Sequence, residues 1–188
     1  MSPNSWFSQP VYIPGGNPET MNEASLLYPG QLGIRFQYIN PPRTVPSGDT
    51  VEDGTPKGFQ LVHTDSTMTV TPFDGATAWW ANQQQYRVTT TVTTLGRGRV
   101  AGVFKTAVTP GNYCCVQQKG KSQVKFVDAP VAAPTAAGLL VIPSATNAKA
   151  DCLAAGSAAT YPIMGRSAGV YNAVEATAIV DLDIPDVF

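Results

Sequence analysis

The stretch that most constrains the fold of this chain runs from Val100 to Val127, where alternating segments are separated by two glycine-containing turn sequences. Pro110-Gly111 suits a type II turn, because proline fixes φ at the second turn position and glycine accepts a positive φ at the third. Lys119-Gly120-Lys121 predicts a second reversal, again with glycine where a positive φ is needed. One strand face would carry Tyr113, Cys115 and Gln117, and the other would carry Cys114, Val116 and Gln118. The stretch therefore predicts a meander of three short antiparallel strands.

The rest of the chain is also typical of β-structure. Further strands are predicted by alternation or by short apolar runs at residues 32–39, 59–62, 67–73, 86–94, 137–142 and 175–184. Residues 78–86 are the one segment that could be a short helix. Together these patterns predict an all-β protein with a small antiparallel β-barrel or sandwich body and little helix.

Changes in sequence pattern along the chain divide it into three parts: an extended arm at 1–30, a β-rich part at 31–99 and a third part at 100–188, for which the resemblance given below implies a β-barrel domain. Prolines and glycines interrupt the arm, yet it carries large apolar side chains that a disordered tail would lack: Trp6, Phe7, Tyr12 and Ile13. Two interpretations stay open, since the arm could lie across a partner's surface or pack on its own domain.

The adjacent Trp79 and Trp80 are further candidates for partner binding. They could form an aromatic platform for a sugar or a peptide. The favoured interpretation makes one ring a core anchor and the other an interface anchor, because tryptophan is enriched at protein contacts.

Composition excludes several classes of partner. Charged residues make up 13% of the chain, roughly half the usual share. Either the surface is rich in Thr, Ser, Gln and Asn, or much of it is covered by partners, and we favour the second interpretation. The net charge of −1 gives no positive excess for nucleic acid. No apolar run is long enough to span a membrane, and the N-terminus lacks the pattern of a secretory signal. The three cysteines are an odd number, which predicts reduced thiols and synthesis in a cytoplasm.

No group of residues with a recognisable catalytic spacing occurs. His63 has no evident partners for nucleophilic catalysis, and Cys114, Cys115 and Cys152 lack the spacing of a zinc site. Residues 96–99 contain glycine and arginine, but no phosphate-binding sequence follows them. Asp181 and Asp183 could bind calcium, although charges that guard a solvated strand edge explain them more simply. We therefore expect no catalytic residue, no cofactor, no metal and no enzymatic activity.

The segment from Val100 to Ile184 resembles a family of small decoration, or cement, proteins of tailed-phage capsids. The residues that carry the resemblance are Gly102-Val103, Pro110-Gly111-Asn112-Tyr113, the Val116…Gly120…Val124 hairpin, Ala137 to Val141, Ile163 to Arg166 and the closing strand Thr177 to Leu182. The resemblance also includes a bend just before the last strand, which in this chain is Gly165-Arg166-Ser167-Ala168.

The resemblance implies a small β-barrel that assembles as a homotrimer on the outer surface of a phage head. The expected function is that of a structural virion protein, which binds the major capsid protein and stabilises contacts between capsomers. The alternative is a carbohydrate- or receptor-binding β-module of a phage fibre or spike that uses Trp79 and Trp80.

Overall fold

The structure, a computed structural model, describes residues 16–26, 29–39, 43–44, 50–52, 54–82, 84–92, 99–130, 137–159 and 161–185. These residues contain no α-helix, only a 3₁₀ turn at Pro29–Gln31 and twelve strands. The strands are β1 (Arg35–Tyr38), β2 (Arg43–Thr44), β3 (Thr50–Glu52), β4 (Lys57–Thr64), β5 (Thr77–Asn82), β6 (Arg87–Thr89), β7 (Val100–Phe104), β8 (Tyr113–Lys125), β9 (Leu140–Pro143), β10 (Ala150–Cys152), β11 (Gly165–Ser167) and β12 (Thr177–Asp183). The predicted all-β class is confirmed.

Ten of the strands form one sheet in the order β1-β4-β6-β5-β7-β8-β12-β11-β9-β10. An additional pairing of β4 with β8 closes β4, β6, β5, β7 and β8 into a five-stranded barrel. β4 and β6 are parallel, and the other barrel pairs are antiparallel. The rest of the sheet curls until Phe126, just after β8, meets Ala150 of β10 in a single bridge. The molecule thus has two curved halves that share β8.

Each half has its own apolar core, as the alternation of side chains along the strands requires. The barrel interior contains side chains from all five barrel strands, including Val62, Trp80, Val88, Phe104 and Val116. The second core includes Val124, Phe126, Met164, Val180 and Leu182. The predicted faces of β8 are confirmed at the adjacent cysteines, because Cys114 belongs to the barrel interior and Cys115 to a third cluster outside it.

The first predicted turn of the meander is confirmed and the second is wrong. The N–H of Asn112 donates to the carbonyl of Thr109 at 3.0 Å, and Gly111 has φ of 89°, as a type II turn requires. Gly120 has φ of 82°, but β8 continues through it, so the Val116…Gly120…Val124 hairpin is absent. Long-range pairing with β12 from Lys119 to Lys125 holds the strand extended there.

Two other local predictions are wrong. Residues 67–73 contain no strand, and the segment predicted as a short helix is β5. β5 lies between β6 and β7 in the sheet, and this pairing outweighs the weak local preference for a helix. The predicted division at residues 99 and 100 lies between two groups of barrel strands: β4, β5 and β6 precede it, while β7 and β8 follow it.

The described part of the N-terminal arm packs on its own body. Residues 18–23, the N-terminal strap, lie across the outer face of β4 and β8, and Met21 is buried against Phe36, Phe59, Leu61 and Cys115. The N–H and carbonyl of Glu23 pair with those of Tyr113. For this part of the arm, the interpretation as a segment packed on its own domain is confirmed.

Candidate functional site

The aromatic residues predicted to bind a partner fall into two groups. Trp6, Phe7, Tyr12 and Ile13 lie outside the described residues. Trp79 and Trp80 are in β5, and their exposed fractions are 0% and 4%. The prediction that one ring is a surface anchor is therefore wrong, because the two faces of β5 are both covered: Trp80 points into the barrel, and Trp79 packs in the second core.

His63 is held in a structural role. Its Nε2 is 2.8 Å from the carbonyl oxygen of Gly111, and its ring packs against that of Tyr113 with centroids 4.5 Å apart. The nearby Asp65 carboxylate accepts hydrogen bonds from the N–H and hydroxyl of Thr67 at 2.8 and 2.7 Å. These hydrogen bonds hold the pKa of Asp65 below its usual value, with smaller contributions from the charges of Arg87 and His63. A nucleophilic site with an imidazole base needs that imidazole to be hydrogen-bonded to a thiol and a carboxylate. The described contacts of His63 do not form this arrangement.

The three cysteines are buried and form no disulfide. Burial raises the pKa of the Cys114 thiol well above its usual value and also that of Cys115, and it raises the pKa of Cys152 to about 12. A thiol reacts as its thiolate, so burial keeps all three unreactive in the folded chain.

An open groove of about 610 Å³ lies on the second half of the molecule. Strands β9, β11 and β12 position its walls. Its apolar lining is formed by Leu140, Ile163, Leu182 and Pro185. Arg166, Asp181 and Asp183 place charges along it. Apolar and charged residues thus line the groove together, a mixture that suits contact with another protein surface.

The charges of the groove are largely compensated within the sheet. Asp181 lies opposite Lys121 on β8 and opposite Arg166 on β11, and Asp183 lies opposite Lys119. The Lys119 Nζ is 3.6 Å from the Asp183 carboxylate. Among the described residues, no three His, Cys, Asp or Glu side chains lie close enough together to hold a metal ion. β12 pairs with β8 on one side and with β11 on the other, so the interpretation of these aspartates as charges that guard a strand edge is wrong. They are exposed side chains that lie opposite basic residues of the neighbouring strands.

The sequence patterns did not reveal this groove. Ile163, which is 38% exposed at the groove, lies in a loop that has no strand period. Arg166 and Asp181 come from the consecutive strands β11 and β12, and the register of that pair places them opposite each other. Other large exposed apolar side chains lie elsewhere on the surface, at Ile39, Val170 and Val174.

In the described part of the chain, no helix has the length and apolar character that crossing a membrane requires. Comparisons with protein-family models, curated proteins and solved structures found no match to this chain.

Proposed function

We propose that this protein is a capsid decoration, or cement, protein, which binds the outer surface of a phage head and stabilises contacts between neighbouring capsomers. The observation that carries the proposal is the all-β fold with a small closed barrel, which is the kind of body that the resemblance implies. Only two of the five barrel strands, β7 and β8, lie in the segment from Val100 to Ile184 that carries the resemblance. The Pro110-Gly111 turn and the closing strand β12 also agree with the resemblance. The predicted hairpin at Gly120 is absent, so this part of the sequence does not support the resemblance.

The surface chemistry is consistent with a protein that works by contact. Charged residues are 13% of the chain, and the groove beside β12 combines apolar and charged groups. We propose that the partners are the major capsid protein and further copies of this chain, with no nucleic acid and no enzymatic role. Ile163 is an exposed apolar side chain that lines the groove, and we propose that it contacts the capsid.

The alternative function, a carbohydrate- or receptor-binding module, depends on an accessible aromatic platform. Both tryptophans that would form it are buried within the chain. No other described feature favours the alternative.

Cosedimentation with expanded empty heads tests the proposal. The protein should bind the heads saturably, and it should give no binding on a glycan array. Ile163→Asp should weaken head binding at least about tenfold, or about 1.4 kcal/mol, because a charge would enter an apolar contact. Ile39→Asp is the matched control, since Ile39 is exposed at the end of β1 and should leave binding unchanged. Failure to cosediment would remove the function, whereas binding weakened only by Ile39→Asp would show that the groove is the wrong site.

A further inference from the structure

The N-terminal strap covers a face of the barrel without being part of a regular ladder. Its one β-type contact is the bridge between Glu23 and Tyr113, with N···O distances of 3.0 and 2.8 Å. Met21, which is 2% exposed, fills the space above this face, and its Sδ lies 3.7 Å from the Sγ of Cys115. Through Met21 the strap is in direct contact with Cys115 on the outer side of β8, in a cluster to which Phe36 and Leu26 also belong.

The strap has few attachments compared with the strands beneath it. The Glu19 carboxylate lies 3.6 Å from the buried Lys57 Nζ, and the Asn22 side chain accepts hydrogen bonds from the backbone of Thr109 and the amide of Asn112. β8, in contrast, pairs with β4 and β7 in the barrel and with β12 beyond it. Segments with few buried contacts open at a lower free energy than the strands of a core.

We propose that the N-terminal strap opens as a unit while the barrel stays folded, and that its opening uncovers the apolar face formed by Phe36, Phe59, Leu61 and Cys115. Opening converts Cys115 from a buried to an accessible thiol. It leaves Cys114 buried, because that neighbouring side chain lies inside the barrel.

The adjacent thiols give an internal comparison. Burial raises the pKa of both, so neither reacts until it reaches solvent. When opening and closing are fast relative to the chemistry, the rate of labelling follows the population of the open form. Cys115 then reports opening of the strap, and Cys114 reports unfolding of the barrel.

The experiment is a time course of N-ethylmaleimide labelling of the full chain near neutral pH, at several urea concentrations below the unfolding midpoint. Tandem mass spectrometry of the digested protein resolves the two adjacent positions. We expect Cys115 to be labelled at least about tenfold faster than Cys114, with a weaker dependence on urea, because less surface is exposed by local than by global opening.

Strap variants make the test specific. Met21→Ala and Glu19→Gln should each accelerate labelling of Cys115 several-fold relative to Cys114. Asp128→Asn, which removes an ion pair with Lys149 on the second half of the molecule, is the control and should leave the ratio unchanged. Equal rates for the two cysteines at every urea concentration would overturn the proposal. So would a ratio that neither strap variant changes, or protection of both thiols up to the midpoint.

Discussion

At the scale of single residues, the wall of the groove depends on a position without a side chain. A Cβ placed on Gly165 would lie 2.1 Å from the carbonyl oxygen of Asp181 and 2.9 Å from the Cα of Leu182. Both neighbours are backbone atoms of β12, so a rotamer change cannot relieve the overlap. Gly165 thus sets how closely β11 approaches β12.

Gly165→Ala should destabilise the fold by about 1–3 kcal/mol, the usual cost of forcing extra volume into a packed site. Urea unfolding followed by circular dichroism measures the change. Gly30→Ala is the control, because a Cβ there meets nothing within 4 Å, and it should change stability by no more than about 0.5 kcal/mol. Equal effects of the two substitutions would show that the β11–β12 packing is not tight.

The buried cysteines support a second prediction at this scale. Thiol titration of the protein, denatured without exposure to air, should find three free thiols, because Cys114 and Cys115 lie on opposite faces of β8 and all three are unbonded. A result of one free thiol would show that a disulfide forms and would contradict this prediction.

At this scale, the sequence predicted a structural feature correctly when neighbouring residues alone determine that feature. The Pro110-Gly111 turn was predictable because its φ angles follow from two adjacent residues. The burial of both Trp79 and Trp80 was not, because it depends on core layers on both faces of β5, which come from strands distant in the chain.

At the scale of elements, β8 determines how the two halves are joined. The Gln117 Nε2 donates to the carbonyl oxygens of Lys119, Gly120 and Lys121 at 3.0, 3.1 and 3.0 Å. This side chain therefore satisfies backbone acceptors where the strand leaves the barrel and joins β12. By local sequence alone, a glycine between two lysines predicts a chain reversal at Lys119-Gly120-Lys121. These three residues do not reveal the hydrogen bonds from Gln117 or the pairing with β12.

Gln117→Met should destabilise the protein by about 1–3 kcal/mol, because three carbonyl oxygens lose their shared donor at a buried site. Gln123→Met is the matched control on the same strand. Its amide makes longer hydrogen bonds, to Glu175 at 3.5 Å and Thr177 at 3.2 Å, so its loss should cost less. Denaturant unfolding measures the loss of stability in both variants. A larger loss for Gln123→Met would show that the Gln117 hydrogen bonds do not stabilise β8 where it leaves the barrel.

At the scale of the whole molecule, the ten-stranded sheet is continuous across the boundary that the sequence pattern suggested. The fold class was predictable because alternation marks strands wherever they occur. The strand order was not, since the closing pair β4–β8 joins residues far apart in the sequence. The candidate groove was missed for the same reason.

We predict that the protein forms a homotrimer, as the resemblance implies and as its 13% of charged residues favours. Stable interfaces typically bury about 800 Å² on each partner, which would cover much of an uncharged surface. Sedimentation equilibrium at tens of micromolar, without capsids, measures the assembly state. A monomer under these conditions would contradict the prediction.

The last prediction concerns the aromatic arm. Pro10 lies between the pairs Trp6-Phe7 and Tyr12-Ile13, and Pro14 follows the second pair. The fixed φ of proline lowers the conformational entropy lost on docking. Each large side chain buried on a neighbouring protein could contribute about 1.5–3 kcal/mol. A chain lacking residues 1–18 should still fold, because it keeps the strap contacts of Glu19, Met21 and Glu23.

That truncated chain should bind expanded heads at least about tenfold more weakly than the full chain, since one lost anchor is enough for a decade in affinity. Circular dichroism and head binding should be measured together on both proteins. The double variant Trp6→Ala, Phe7→Ala is the control for chain length, and it should reproduce most of the loss. Unchanged affinity would exclude the arm as an anchor, whereas loss of the β-signal on truncation would show that residues 1–18 belong to the fold.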